Sequence, residues 1–238
     1  MRTFDAGCGN GGFSICAARI GNEVVAASFS SSEQESARRR ADLLGVNGID
    51  FRVIDLRDLD DHRAALGAFD QIVCLETIEH VSDDEGLVKS LAAMLKPGGQ
   101  ILLSAPFDRH RPLYTEDPHP SPVEDGSHVR YGYSQERLRQ IVEGAGLDVE
   151  VNSECFISGV VSQKLTDLMR RLSARIGLLP AWVIVLPLRV LAVLDAPLTG
   201  MLRYPHLSVA LCAVKRPEQA SLTSLSLSQT EQVIHSLG

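Results

Sequence analysis

Asp5-Ala6-Gly7-Cys8-Gly9-Asn10-Gly11-Gly12 is the stretch whose reading decides the fold. Residues 2 to 4 before it read as the end of a short strand, and residues 13 to 20 after it as a helix, so it is a strand-to-helix turn. Glycine at alternate positions lets backbone N–H groups approach a ligand that a Cβ would exclude, and the helix N-terminus adds positive potential. The spacing is Asp-x-Gly-x-Gly-x-Gly. It is not the Gly-x-Gly-x-x-Gly of dinucleotide binders, and no P-loop Lys-Ser/Thr follows.

Outward from the turn, apolar runs alternate with helix formers. Residues 24 to 29, 51 to 54, 71 to 75 and 101 to 105 read as strands two to five, and residues 32 to 44 and 84 to 95 as helices, the second stopped by Lys96-Pro97-Gly98-Gly99. Ser134 is placed to cap a helix over residues 135 to 145, followed by a sixth strand over 148 to 157 and a seventh over 207 to 214. Such alternation predicts an α/β fold with a doubly wound, mostly parallel seven-stranded sheet. Residues 1 to 216 form one domain in this reading, with a loosely ordered tail over 217 to 238. The stretch from 106 to 127 is rich in Pro, His, Asp and Glu without periodicity, and reads as a substrate-facing loop.

Between strands six and seven lies a helical insertion, about residues 160 to 204, whose apolar run from 176 to 194 is crossed by Pro180, Pro187 and Arg189. A spanning helix needs about 20 nearly uninterrupted apolar residues. Paired short helices are therefore expected, forming a cap packed on the domain or on the partner of a homodimer. A surface that meets lipid or a greasy substrate is the second reading, and a true span the third.

The 238 residues carry a formal net charge of −7, which argues against a protein built to grip phosphate backbones. Five scattered cysteines without a C-x-x-C pair indicate neither a disulfide framework nor a zinc knuckle, and suit a reducing cytoplasm. The start lacks the charged and apolar regions of a signal peptide.

The turn and three later segments, Phe69-Asp70-Gln71-Ile72-Val73-Cys74-Leu75-Glu76, Ile78-Glu79-His80-Val81 and Leu95-Lys96-Pro97-Gly98-Gly99-Gln100-Ile101-Leu102-Leu103, resemble in order and distance the motifs of class I S-adenosylmethionine (SAM) dependent methyltransferases. The resemblance covers about residues 1 to 150 and implies SAM as cofactor. It implies that Gly7, Cys8, Gly9 and Gly11 pass beneath the amino-acid and ribose portions, with Asp5 holding the turn or the methionine ammonium, and that Leu75 borders the ligand at the end of strand four. It further places Asp55 and Leu56 at the adenine, one accepting from the exocyclic amine and the other packing on the ring. One departure stands out: where relatives carry an Asp or Glu for the ribose hydroxyls, this chain has Ser28, with Glu33 as the nearest rescue. The upstream helix that often covers SAM in relatives is not in this sequence, so another segment covers the site or the native protein begins earlier.

Glu76-Thr77-Ile78-Glu79-His80 follows strand four at the carboxyl edge, where ligands sit in open α/β folds. If the chain turns helical here, Glu76, Glu79 and His80 share one face and suggest a divalent-metal site, Mg or Zn. The Glu-x-x-Glu-His form resembles that of ubiquinone-biosynthesis O-methyltransferases and small-RNA 3′-terminal 2′-O-methyltransferases, and His128 fits their later ligand. Metal-free acid/base work by Glu79 and His80, or a structural role, stand as alternatives. His110, Tyr114, His119, Tyr131 and Tyr133 read first as solvent-exposed loop residues, and second as candidates for the acceptor pocket.

The expectation is an O-methyltransferase acting on a hydroxyl of a small molecule, glycan or lipid-like intermediate, not on nucleic acid. It is placed in the cytoplasm, with peripheral membrane contact from the insertion. The rivals are a C- or N-methyltransferase of a secondary metabolite and a degenerate SAM-binding partner subunit.

Overall fold

A computed structural model describes residues 1–109, 120–155, 160–203 and 207–217. The tail beyond 217, His110, Tyr114, His119 and the last two residues of the expected sixth strand lie outside the described residues.

Seven strands, β1 (Arg2–Ala6), β2 (Glu23–Ser28), β3 (Ile49–Val53), β4 (Phe69–Leu75), β5 (Leu95–Pro106), β6 (Asp148–Cys155) and β7 (Ser208–Val214), form one sheet in the order β3-β2-β1-β4-β5-β7-β6. β7 alone runs against the direction of the other six strands, which therefore end at one carboxyl edge. The helices α1 (Gly12–Arg19), α2 (Ser31–Leu43), α3 (Leu59–Leu66), α4 (Asp84–Met94) and α5 (Gln135–Gly144) flank it. Strands buried on both faces read as continuous apolar runs, and Val24 to Ala27 in β2 are all buried. Phe4 of β1 stacks on Phe69 of β4, ring centroids 5.2 Å apart, at the centre of the main core. Order reverses between β1 and β4, which opens a crevice above their ends.

The caps are local. Ser30 accepts from the Glu33 amide, Asp83 from Gly86 and Ser134 from Arg137. Helix α3 was not anticipated. Its Leu59-Asp60-Asp61-His62-Arg63-Ala64-Ala65-Leu66 offers only Leu59 and Leu66 to the core, too sparse a repeat to stand out.

The insertion departs from expectation. Helix α6 (Val160–Ile176) packs against a continuous 24-residue helical rod, Leu178–Met201, made of α7 (Leu178–Val185), a 3-10 stretch (Leu186–Leu194) and α8 (Asp195–Met201). Pro180 sits in the first turn of α7, where an amide would lack an intrahelical acceptor, Pro187 opens the tighter 3-10 winding, and Pro197 lies in the first turn of α8. The prolines thus change the winding without breaking the rod. The Arg189 guanidinium lies over the Trp182 ring at 5.1 Å. By length and composition the rod is long and apolar enough to cross a membrane, and it is 11% buried. Asp195 ties the two arms by accepting from the Val161 and Ser162 amides at 2.6 and 3.0 Å, capping α6 from its partner.

Candidate active site

Gly7 and Cys8 at the end of β1 both donate their amides to the Ala27 carbonyl, at 2.9 and 2.8 Å, which fixes the turn against β2. Gly7 has φ +83°, and a Cβ there would overlap the Thr77 side chain. Gly9, at φ +48°, has nothing within 4 Å of such a Cβ. One is glycine because protein fills the space; the other borders a space left empty.

That space is a crevice of about 270 Å³ lined by Gly7, Gly9, Ser28, Phe29, Glu33, Asp55, Leu56 and Arg57 on one side. Glu76, Thr77, His80 and Val81 line the other, and Glu124 and Gly126 complete it. The Ser28 hydroxyl donates to Glu33 at 2.8 Å, so a carboxylate does stand beside the ribose position that the second strand leaves to serine. Asp55 caps the 3-10 turn Leu56–Asp58 and is clasped by the Arg57 guanidinium, which holds its carboxyl below the usual range. Arg57 reaches on to Glu124 at 3.2 Å, and the Ser82 amide donates to the same carboxylate.

Glu76 directly follows β4 in a left-handed conformation, φ 48°, uncommon for a side chain with a Cβ. Its carboxylate accepts from Ser104 at 2.9 Å and Ser208 at 3.4 Å. The shared helical face expected for Glu76, Glu79 and His80 is not formed, because only Ile78–His80 make a 3-10 turn and Glu76 is turned toward β5 and β7. Glu79 is instead joined by His128. Its Oε1 lies 3.8 Å from Nε2 of both His80 and His128, and the two rings meet edge to face with centroids 4.6 Å apart. The ligand atoms of these three residues all lie within 4.8 Å of one another.

Glu79 is 0% exposed, and neither carboxylate oxygen has a hydrogen-bond partner. Burial first, and the Glu76 charge second, push its carboxyl up to about 8. The segment bearing His128 is held by a Val129 amide bond to the Glu79 carbonyl at 3.0 Å. Arg130 donates to the Val81 and Ser82 carbonyls at 2.9 and 2.8 Å and pairs with the buried Asp84 carboxylate. A buried carboxylate without donors, flanked by two imidazoles, is the donor set a divalent transition metal takes.

The methyltransferase-domain family matches residues 1–151 of the 238. This chain belongs to it. The chain is 38% identical over 103 residues to a ubiquinone biosynthesis O-methyltransferase of Xanthomonas axonopodis pv. citri (strain 306), an alignment covering 43% of this chain and 42% of that one. It thus matches less than half the length of such relatives. Among solved structures, a putative sarcosine dimethylglycine methyltransferase from Galdieria sulphuraria superposes with a TM-score of 0.60 at 14% identity, covering 91% of this chain and 78% of that one. The phosphoethanolamine N-methyltransferase 2 of Haemonchus contortus, in complex with S-adenosyl-L-methionine, gives 0.56 at 18%, covering 91% and 49%. At such identities these two speak for the fold.

Within this member of the methyltransferase-domain family, the crevice gathers Gly7, Gly9, Ser28, Asp55 and Leu56 of the residues assigned to the cofactor. The other four, Asp5, Cys8, Gly11 and Leu75, are not among its lining residues. Gly11 is required by packing, since a Cβ would come 2.8 Å from that of Ala37 in α2. Asp5 is 3% exposed and accepts from the Ser14 hydroxyl, so of its two expected roles the structure displays the holding of the turn. Burial pushes the Cys8 thiol up to about 12, and its sulfur accepts from Gln34. The Leu75 carbonyl is taken by the Thr77 hydroxyl at 2.9 Å. Glu76 lines the crevice but stands outside the Glu79, His80 and His128 cluster. Tyr133 is buried, its hydroxyl donating to Asp84 at 3.0 Å, so it braces the loop instead of facing an acceptor. Sequence reasoning missed Thr77, Arg57 and Glu124, whose places at the crevice depend on contacts across the fold, Thr77 against Gly7 and Arg57 with Glu124.

Proposed function

We propose that this methyltransferase transfers a methyl group from SAM to a hydroxyl of a lipid-like small molecule, working at the cytoplasmic face of a membrane. The observation that carries the reading is that one crevice holds the glycine turn on one wall and His80 on the other, with Glu79 and His128 against it. SAM supplies an electrophilic methyl on a sulfonium. Gly7 and Gly9 leave room for its amino-acid and ribose portions, Ser28 and Glu33 face the ribose hydroxyls, and Asp55 and Leu56 the adenine. The acceptor oxygen attacks in line: its O–H bond breaks, the O–CH₃ bond forms, and the S–CH₃ bond breaks to leave the demethylated thioether. Geometry supplies most of the rate in such a displacement. The proton passes to the Glu79–His80 pair, whose carboxyl is about as basic as an imidazole.

Glu79, His80 and His128 fit a divalent cation, because the buried carboxylate is otherwise unsatisfied. When bound, such an ion acidifies and orients an acceptor hydroxyl. The alternative arrangement, His80 as base without an ion, uses the same residues. Free thiols at Cys8, Cys16, Cys74 and Cys212 suit the cytoplasm. A lipid-like acceptor is favoured over a glycan or RNA by the apolar insertion, which leaves and returns at the crevice-bearing edge, where Ser208 touches Glu76.

Calorimetry with the demethylated product, and turnover in chelator, test the reading. Binding to the product should be retained in Glu79→Ala with His80→Ala while turnover is abolished. Loss of activity in chelator, restored by Mg²⁺ or Zn²⁺, supports the ion. Full activity in chelator removes it and leaves either His80 as a metal-free base or a C- or N-methylation, which the chemical identity of the methylated product distinguishes. No binding of SAM or its product by the wild type would make the chain a degenerate partner subunit.

A further inference from the structure

We infer that the insertion over residues 160–203 is a monotopic anchor, which lays its rod into one leaflet of an anionic lipid bilayer. The inference is independent of the reaction assigned above. Leu179, Val183, Leu186, Val190 and Val193 are all exposed, from one end of the rod to the other. Ile184, Leu191 and Leu194, at intervening positions, are exposed as well. A seam for a second copy of this chain would be narrow and leave the remaining flanks polar; an apolar surface wrapped around the rod matches a lipid environment. The insertion's helices pack on one another, without extended packing of any of them on the sheet or its flanking helices among the described residues.

Charge points the same way. The chain carries a net −7, yet residues 160 to 203 hold six Lys and Arg against two Asp and Glu. Lys164, Arg170, Arg171 and Arg175 all lie on α6, beside the rod. A cationic amphipathic helix paired with an apolar one suits an interface of anionic headgroups over acyl chains.

Topology excludes a single crossing. The chain leaves the sheet at Cys155 and re-enters at Ser208, and these are register partners on neighbouring antiparallel strands, about 5 Å apart. Both ends therefore lie on one side of any membrane. Helix α6, with four basic residues and one acidic, cannot serve as a second span. The rod must enter and leave through the same face, lying along the leaflet.

The test uses the full chain in flotation with vesicles of phosphatidylcholine alone or with about 30% phosphatidylglycerol. Expected is flotation with the anionic vesicles, about tenfold weaker with neutral ones and weakened by salt. Trp182 is the chain's only tryptophan, and its emission should be quenched more by bromines near the headgroup end of the acyl chains than by those at the bilayer centre. Val183→Asp with Val190→Asp should abolish flotation and leave binding of the demethylated cofactor unchanged, which shows the sheet folded and separates this inference from the proposed reaction. Absence of flotation, with or without a dimer that the double substitution breaks, overturns it. So does strongest quenching at the bilayer centre with resistance to carbonate extraction, the behaviour of a span.

Discussion

Gly7 and Gly9 are two positions apart and answer differently to an added methyl. Gly7→Ala must displace Thr77 while holding φ at +83°, so a loss of about 3 kcal/mol or more is expected in urea unfolding. Gly9→Ala meets no neighbour, so it should cost about 1 kcal/mol of stability yet weaken the demethylated cofactor about tenfold or more by calorimetry. Asp5 sets a pH dependence. Burial, opposed by the Ser14 hydrogen bonds, raises its carboxyl from 3.8 to about 6, so the folded state holds the proton more tightly than the unfolded one. Its contribution is complete below about pH 4 and is lost as pH rises through about 6, roughly 3 kcal/mol at about 1.4 kcal/mol per unit. Asp5→Asn, which still accepts from Ser14, should lose that much less between about pH 4 and 7 in urea titrations, and parallel profiles would refute the assignment. Glu79, raised to about 8, must release its proton to take a cation, so apparent Zn²⁺ affinity should climb about tenfold per pH unit up to about pH 8. At this scale the residue types were legible and their partners were not. Glu76 could be named from its motif, but its contacts are Ser104 and Ser208, 28 and 132 positions away, and no local pattern encodes them.

Among the elements, the segment carrying His128 depends on Arg130, which reaches two carbonyls and the buried Asp84. Asp84 also receives the Tyr133 hydroxyl and faces Arg137 at 3.5 Å. Removing one partner of such a pair strands a buried charge. Arg130→Met should cost about 3 kcal/mol in thermal or urea unfolding and weaken Zn²⁺ binding as His128 loses its support, with Arg130→Lys recovering part of both. An unchanged affinity for the ion would show that Arg130 merely stabilises the fold. Strands and caps were readable because their signals are local: Ser134 accepts from the Arg137 amide as its position implies. The continuity of the rod was not. Proline marks a break on average, whereas Pro180 and Pro187 fall where few intrahelical bonds are lost.

Taken whole, the molecule is a cofactor-binding sheet with a helical hairpin standing on two adjacent antiparallel strands. Replacing residues 157 to 206 by a short glycine-rich turn should join β6 to β7 without disturbing the parallel half. The shortened chain should unfold cooperatively and bind the demethylated cofactor as the intact chain does, while failing to float with anionic vesicles. Aggregation of the shortened chain even with the ligand present would show that the hairpin is integral to the core. The feet of that hairpin share a rim with the crevice, since Ser208 is the register partner of both Pro106 and Cys155. A molecule adsorbed through it has little freedom to swivel its mouth away from the oily phase. On the proposed reading of a lipid-like acceptor, substrate would arrive by lateral diffusion in two dimensions, and turnover should follow the acceptor's surface mole fraction, falling on dilution with inert phospholipid even when its bulk concentration is held constant.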